Sequence, residues 1–241
     1  MRKSISFVLK IVVYAVLLSQ ASAWLSIYEK ILNIMRNFET WDTQAVETEL
    51  GLVQIKKSTL LEDWLSSVAT FTEQEVVLIE DLRTELFDYV DFWNEDELKL
   101  QFIGPLLKLV RYNDNPPFRF FSQRTLSATI NSIEIGGRVD FMLAKGKQRP
   151  TKPYFFIHEY KQEVKGTNDP KGQLLVEMIT AQYRNENEHP VYGCYVIGRN
   201  WFFVVLYNNE YAVSKPYVAS DTDIYKIVAF LREIKIYISK L

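Results

Sequence analysis

The sequence predicts an α/β fold, a mixed central β-sheet flanked by helices, with a helical extension on its N-terminal side. Three observations predict it. Up to Val110 the apolar residues recur at helical spacing; after "NDNPP", Asn113 to Pro117, they gather into short runs rich in β-branched and aromatic side chains. Five such runs follow, "FRFFSQRTLSATI", "EIGGRVDFMLAKG", "PYFFIHEYKQE", "HPVYGCYVIG" and "WFFVVLY", with turn residues between them. A helical pattern separates the third run from the fourth, a passage long enough to join parallel neighbours, so the sheet is mixed.

Taken in order, Leu25 to Phe38 reads as an amphipathic helix, and Leu60 to Val68 and Thr72 to Phe92 as two more. Thr72 with Glu75 three residues later is a capping-box pattern. "NEDELKLQFIGPLLKLV" is a further helix: Asn94 caps it, and Leu98, Phe102, Leu106 and Leu109 form its stripe. Pro105 falls inside that stripe, where it removes a donor and kinks or divides the helix. Between the third and fourth strands, Asn168 or Asp169 caps a helix with Pro170 in its first turn and Leu174, Leu175, Met178 and Ile179 on its buried face. A last helix runs from about Asp221 to Ser239.

Composition narrows the classes. In 241 residues, nearly half of them apolar, there is material for a sizeable core and no case for disorder. One cysteine, Cys194, excludes an internal disulfide and a cysteine-rich zinc site, and two histidines are too few for a multi-histidine metal site. The formal charge of −2 hides an asymmetry. Acids dominate from Thr40 to Glu97, whereas Lys145, Lys147, Arg149, Lys152, Lys161, Lys165 and Lys171 make a local basic strip that suits a polyanion. The chain thus divides into an apolar, signal-like or extension segment (1–40), an acidic helical region (41–93) and a main domain (94–241). Arg2 and Lys3, the apolar Ile11 to Leu18 and the "ASA" at Ala21 to Ala23 have the layout of a secretory signal peptide; the alternative is an upstream extension ahead of a start at Met35. The apolar stretch is too short for a membrane span, and the remainder reads as a cytoplasmic protein, with a secreted or envelope location as the alternative.

The chemistry gathers at one strand end. In "PYFFIHEYKQE" alternate side chains share a face, so Phe155, Ile157, Glu159 and Lys161 lie together and His158 points the other way, a packed strand histidine. Glu-x-Lys occurs elsewhere in the chain, but only here does a buried-type strand deliver it. In "GGRVDFML", Asp140 is embedded among apolar residues, a placement that is costly unless the carboxylate is paired or binds a cation. If the two strands are neighbours, Asp140 and Glu159 repel and need compensating positive charge. Oxygen ligands with few protein groups suit Mg²⁺ or Mn²⁺, with Lys161 as a fixed cation alongside.

"GGRVD", then "FFIHEYK", then "GQLL" on the following helix resemble the PD-(D/E)XK, or restriction-endonuclease-like, nuclease superfamily. "EDELKLQFIGPLL" resembles that superfamily's first helix, and the likeness runs from about Asn94 to Leu206. More narrowly, the chain resembles a bacterial group marked by "FFIHEYK", "DPKGQLL" and "GCYVIGRNWFFV". Val139 stands where the superfamily often has proline. The resemblance implies that Asp140 and Glu159 are metal ligands, Lys161 the catalytic lysine, Gln173 a supporting helix residue and Glu97 the first-helix acid. It also implies an Mg²⁺- or Mn²⁺-dependent nuclease acting on nucleic acid, DNA rather than RNA. Lys145, Lys147, Arg149, Lys165 and Lys171 would contact phosphate, and a homodimer would let one site per subunit cut both strands. The same fold without catalysis, serving as a nucleic-acid-binding or assembly module, is the alternative.

Overall fold

The computed structural model describes residues 35–114, 116–163, 169–186 and 188–240. Lys165, the signal-like segment and most of the expected first helix lie outside the described residues. The chain runs β1 (Arg36–Asn37), α1 (Thr43–Leu50), β2 (Val53–Gln54), α2 (Thr59–Leu65) and α3 (Glu73–Tyr89). A helix in three pieces follows: α4 (Glu95–Glu97), a π-helical segment (Leu98–Ile103) and α5 (Gly104–Val110). Then come β3 (Phe118–Ile130), β4 (Ile133–Lys145), β5 (Thr151–Lys161), α6 (Pro170–Arg184), β6 (Val191–Ile197), β7 (Asn200–Tyr207), β8 (Glu210–Val213), β9 (Tyr217–Val218) and α7 (Asp223–Ile238).

Among the described residues the strands form one mixed sheet in the order β1-β4-β5-β6-β7-β8-β2, with β3 on β4 and β9 on β7. The passage through α6 does join parallel neighbours: Glu159 pairs with Tyr195 and Lys161 with Ile197. The helical reading of Leu25 to Phe38 fails at its end. Arg36 and Asn37 add a parallel strand to β4, and Phe38–Thr40 is a short 3₁₀ turn that drops Phe38 into the core. An exposed sheet edge offering hydrogen bonds outweighs local helical spacing there.

Strand alternation divides the core in two. Phe156 and Tyr160 on β5, Cys194 on β6 and Trp201 and Phe203 on β7 join one cluster with residues of α2, α3, α5 and α7. Ile157, Tyr195 and Val204 join the other, with residues of α1 and α6. The acidic stretch 41–93 is built into both: Val46 packs in the second cluster, while the buried Trp64 lies edge-on to Phe156, Tyr192 and Phe203 in the first. Its acids point outward because helices α1 to α3 bury one stripe each.

Two local features set the site. Pro105 lacks an N–H and crowds the carbonyl four residues back, and the helix widens ahead of it: the Gly104 N–H reaches the Lys99 carbonyl, a π-type bond. The α6 start is fixed by Asp169, whose carboxylate accepts from the Lys171 and Gly172 N–H groups and from both the N–H and hydroxyl of Thr43. Gly172 is the contact point with α1: a Cβ there would lie 2.4 Å from the Thr43 nitrogen, so only glycine lets the helices approach this closely.

Candidate active site

Asp140 and Glu159 meet on adjacent antiparallel strands. Phe141 pairs with His158, which makes Asp140 and Glu159 next in line, and the Tyr160 N–H donates to Asp140 Oδ2 at 3.2 Å. Both carboxylates are buried, at 7% and 1% exposure, yet both line a cleft of about 600 Å³ with Lys161 and Gln173. Glu39, Glu95, Asp96, Lys99, Gln123 and Arg138 complete its wall.

Local backbone geometry aims these groups. Buried residues run together along β4, at 135–137, 139–140 and 142–144, so Val139 and Asp140 are both buried. Opposite them, between the pairs Ser122–Phe141 and Arg124–Val139, Gln123 holds φ at 52°. A positive φ is uncommon outside glycine. Here it accompanies a Gln123 amide that donates to Asp140 Oδ1 at 2.7 Å. Lys99, on the π segment, donates to the same oxygen at 2.7 Å and to Glu95 Oε1 at 2.6 Å.

Glu159 is differently placed. Lys161 Nζ lies 2.6 Å from its Oε1 as an ion pair, while its Oε2 is buried with no partner. Burial first, and the Asp140 charge second, push its carboxyl up to about 8, against the pull of Lys161 and Lys99. For Lys161, burial favours the neutral amine, but Glu159, Glu95 and Asp140 outweigh it and hold the ammonium above its ordinary range. Lys99 is raised in the same way: Asp140 and Glu95 overcome its burial. Lys161 is therefore held as an ammonium beside Glu159.

Gln173 and Glu177 follow one turn apart on α6, both buried. The Gln173 amide nitrogen donates to Glu177 Oε1 at 3.3 Å, and the Gln173 Oε1 and Glu177 Oε2 atoms have no partner. Burial, then the charges of Glu159 and Asp140, raise the Glu177 carboxyl well above its ordinary range. Glu177 stands behind Gln173 and fixes its amide.

Of the residues expected from sequence, Asp140, Glu159, Lys161 and Gln173 are brought together. Glu97 is not. Its carboxylate turns back to accept from the Asn94 N–H at 2.8 Å, closing a capping box, and the helix acid that reaches the cleft is Glu95. The basic strip also sits apart. Lys145 ends β4, and Lys147 and Arg149 lie in the turn beyond it, so five strand residues, about 17 Å, separate Asp140 from Lys145. Lys171 leaves the α6 start toward Tyr211, its Nζ 6.0 Å from the ring centroid. Among the described residues, the cations that line the cleft are Lys99, Lys161 and Arg138.

Sequence reading passed over Glu95, Lys99, Gln123 and Glu177. Glu177 carried the signal that flagged Asp140, an acid inside an apolar run ("LLVEMIT"). Glu95 and Lys99 carried an i,i+4 pattern common to solvated helices. Nothing in the sequence marked Gln123.

Among the described residues, no three His, Cys, Asp or Glu side chains are gathered as metal ligands. A site for Mg²⁺ needs only one or two carboxylates and waters. The unpartnered atoms here are Glu159 Oε2 and Gln173 Oε1, both acceptors beside a cleft, and that donor set fits a hard cation. No protein-family model matches the chain, and no curated protein matches it.

Proposed function

We propose that the protein is a metal-dependent phosphodiester hydrolase, a nuclease, with DNA as the substrate that the PD-(D/E)XK resemblance implies. One observation carries this reading: a fully buried glutamate, one oxygen paired with the Lys161 ammonium and the other unpartnered, lies next to a second buried carboxylate, and a cleft reaches all three residues. Asp140 and Glu159 would hold Mg²⁺ or Mn²⁺, which when bound polarises the scissile phosphate and acidifies a water.

The residues themselves supply the remainder. Burial raises the Glu159 carboxyl, so it would have to give up its proton to serve as a ligand, and affinity for the ion would rise with pH. Lys161, kept as an ammonium, offsets negative charge that builds on the phosphoryl oxygens. Gln173, its nitrogen held by Glu177, presents its oxygen to a nucleophilic water or to the ion. Arg138, exposed at the cleft's rim, meets a neighbouring phosphate.

A second reading has its own observation: Lys99 and Lys161 already lie against Asp140 and Glu159, so the carboxylates are compensated by lysines. On that reading the fold binds nucleic acid or assembles with a partner and cleaves nothing. Purified protein with Mn²⁺ distinguishes the two. The nuclease reading expects cleavage of DNA or RNA, a rise in melting temperature with millimolar Mg²⁺ or Mn²⁺ by mass action, and loss of both in Asp140→Ala. Melting that ignores both ions, together with no cleavage, leaves the second reading standing.

A further inference from the structure

Glu95 holds two ammonium groups from separate elements at once. Its Oε1 is 2.6 Å from Lys99 Nζ on the π segment, and its Oε2 is 3.5 Å from Lys161 Nζ at the end of β5. The three partners differ in depth: the lysine side chains are 15% and 17% exposed, the glutamate 37%. Each lysine also has a deeper carboxylate of its own, Asp140 Oδ1 at 2.7 Å for Lys99 and Glu159 Oε1 at 2.6 Å for Lys161. If Glu95 swung away, neither lysine would lose its anchor, and both would face the open cleft.

A phosphate group offers what Glu95 offers, two oxygens on one central atom with shared negative charge, and it offers more charge. We propose that Lys99 and Lys161 form an anion site for one phosphate group, and that Glu95 is a built-in stand-in that the phosphate displaces. For a nuclease that group is a backbone phosphate of the substrate; in naming it the proposal rests on the reading above, but the exchange itself needs no cleavage. Glu95 then has two consequences. It gives each of two largely buried ammoniums a second carboxylate in the free protein, besides Asp140 and Glu159. It also competes with every incoming anion, so weak single-phosphate ligands are held off, while a strand that adds contacts elsewhere in the cleft pays that competition once.

The test is phosphate binding by the full chain without divalent ions, followed by ³¹P NMR or calorimetry with inorganic phosphate as probe. Glu95→Gln keeps the shape, removes the charge, and is expected to bind phosphate about tenfold more tightly than wild type. Asp96→Asn removes the same charge from the same cleft wall and is expected to change affinity by less than about twofold. Equal tightening in both variants would mean a general charge effect, and unchanged or weaker binding in Glu95→Gln would mean a purely structural ion pair; either result overturns the proposal. If Glu95→Gln does not fold, Lys99→Gln decides: affinity for phosphate must fall, and an unchanged affinity overturns the proposal. Failure of the nuclease reading would appear separately, as absence of Mn²⁺-dependent cleavage in a protein that still shows the Glu95 effect.

Discussion

Joined by a single peptide bond, His158 and Glu159 face opposite sides of the same strand and are equally deep. On the His158 side the neighbours are rings. Phe156 and Phe120 lie edge-on to the imidazole, the Tyr160 hydroxyl is 2.6 Å from Nδ1, and the Cys194 sulfur is 3.1 Å from the same nitrogen. On the Glu159 side the neighbours are an acid, two ammoniums and a cleft. Burial drives both groups toward neutrality, His158 down to about 3 and Glu159 up to about 8. What separates them is access. A ligand has no route to the histidine, whose shifted titration is a property of packing alone. The glutamate has one acceptor oxygen without a partner and a cleft at hand, so the same degree of burial becomes a candidate for chemistry.

The comparison can be broken from the dry side first. Trp64 is fully buried there and its indole N–H donates to the Phe230 carbonyl at 2.8 Å. Trp64→Ala should cost about 3–5 kcal/mol in chemical denaturation, because it leaves a large cavity and an unpaired carbonyl. A loss below about 1 kcal/mol would show that the 41–93 stretch is not part of the core. On the wet side, Lys161→Ala should fold, since Glu159 readily keeps a proton when its partner is gone. It should lose about 10²–10³-fold of any Mn²⁺-dependent cleavage rate. Wild-type and mutant preparations that cleave equally would trace the activity to a contaminant.

A third outcome sharpens the contrast through pH. An ordinary glutamate titrates at 4.5, Glu159 in the fold at about 8, so the folded protein keeps a proton that the unfolded chain has released. Wild-type stability from this group is present below 4.5 and is lost as pH rises through 8. Glu159→Gln removes that dependence, and should be more stable than wild type by on the order of a few kcal/mol at pH 9 while matching it near pH 4. Melting curves that keep the same difference at both pH values would place the titration elsewhere. The smallest effect is expected at the far end of the β4–β5 turn. Lys147→Ala and Arg149→Ala should leave nucleic-acid affinity within about twofold at physiological salt, because charges that far from the cleft are screened. Arg138→Ala, on the cleft wall, should weaken it more.

Much of the fold was legible because it rests on local rules. Capping residues marked the starts of α1-following helices: Thr72 with Glu75, Asn94 with Glu97 and Asp169 all cap as their residue types require. The strand runs and the parallel crossover were legible from period and from the intervening helix. The site was legible in part. Asp140 and Glu159 stood out as acids in apolar runs, and strand alternation placed Lys161 with Glu159. Glu97 misled because a carboxylate three residues after an asparagine cap has two uses, and the backbone N–H of Asn94 claimed it. The basic strip lies at the other end of the β4–β5 hairpin from the carboxylates, a separation that closeness along the chain did not reveal.

The sequence by itself determined the five longer strands, most of the longer helices and two of the buried acids, Asp140 and Glu159, since side-chain period and burial cost are properties of short stretches. The tertiary structure alone decided who neutralises those acids. Lys99 reaches Asp140 across 41 residues, and Glu95 reaches Lys161 across 66. Such pairings depend on how a widened helix is laid against a sheet, and the Coulomb energy that fixes them is set by distance through space, which no spacing along the chain encodes.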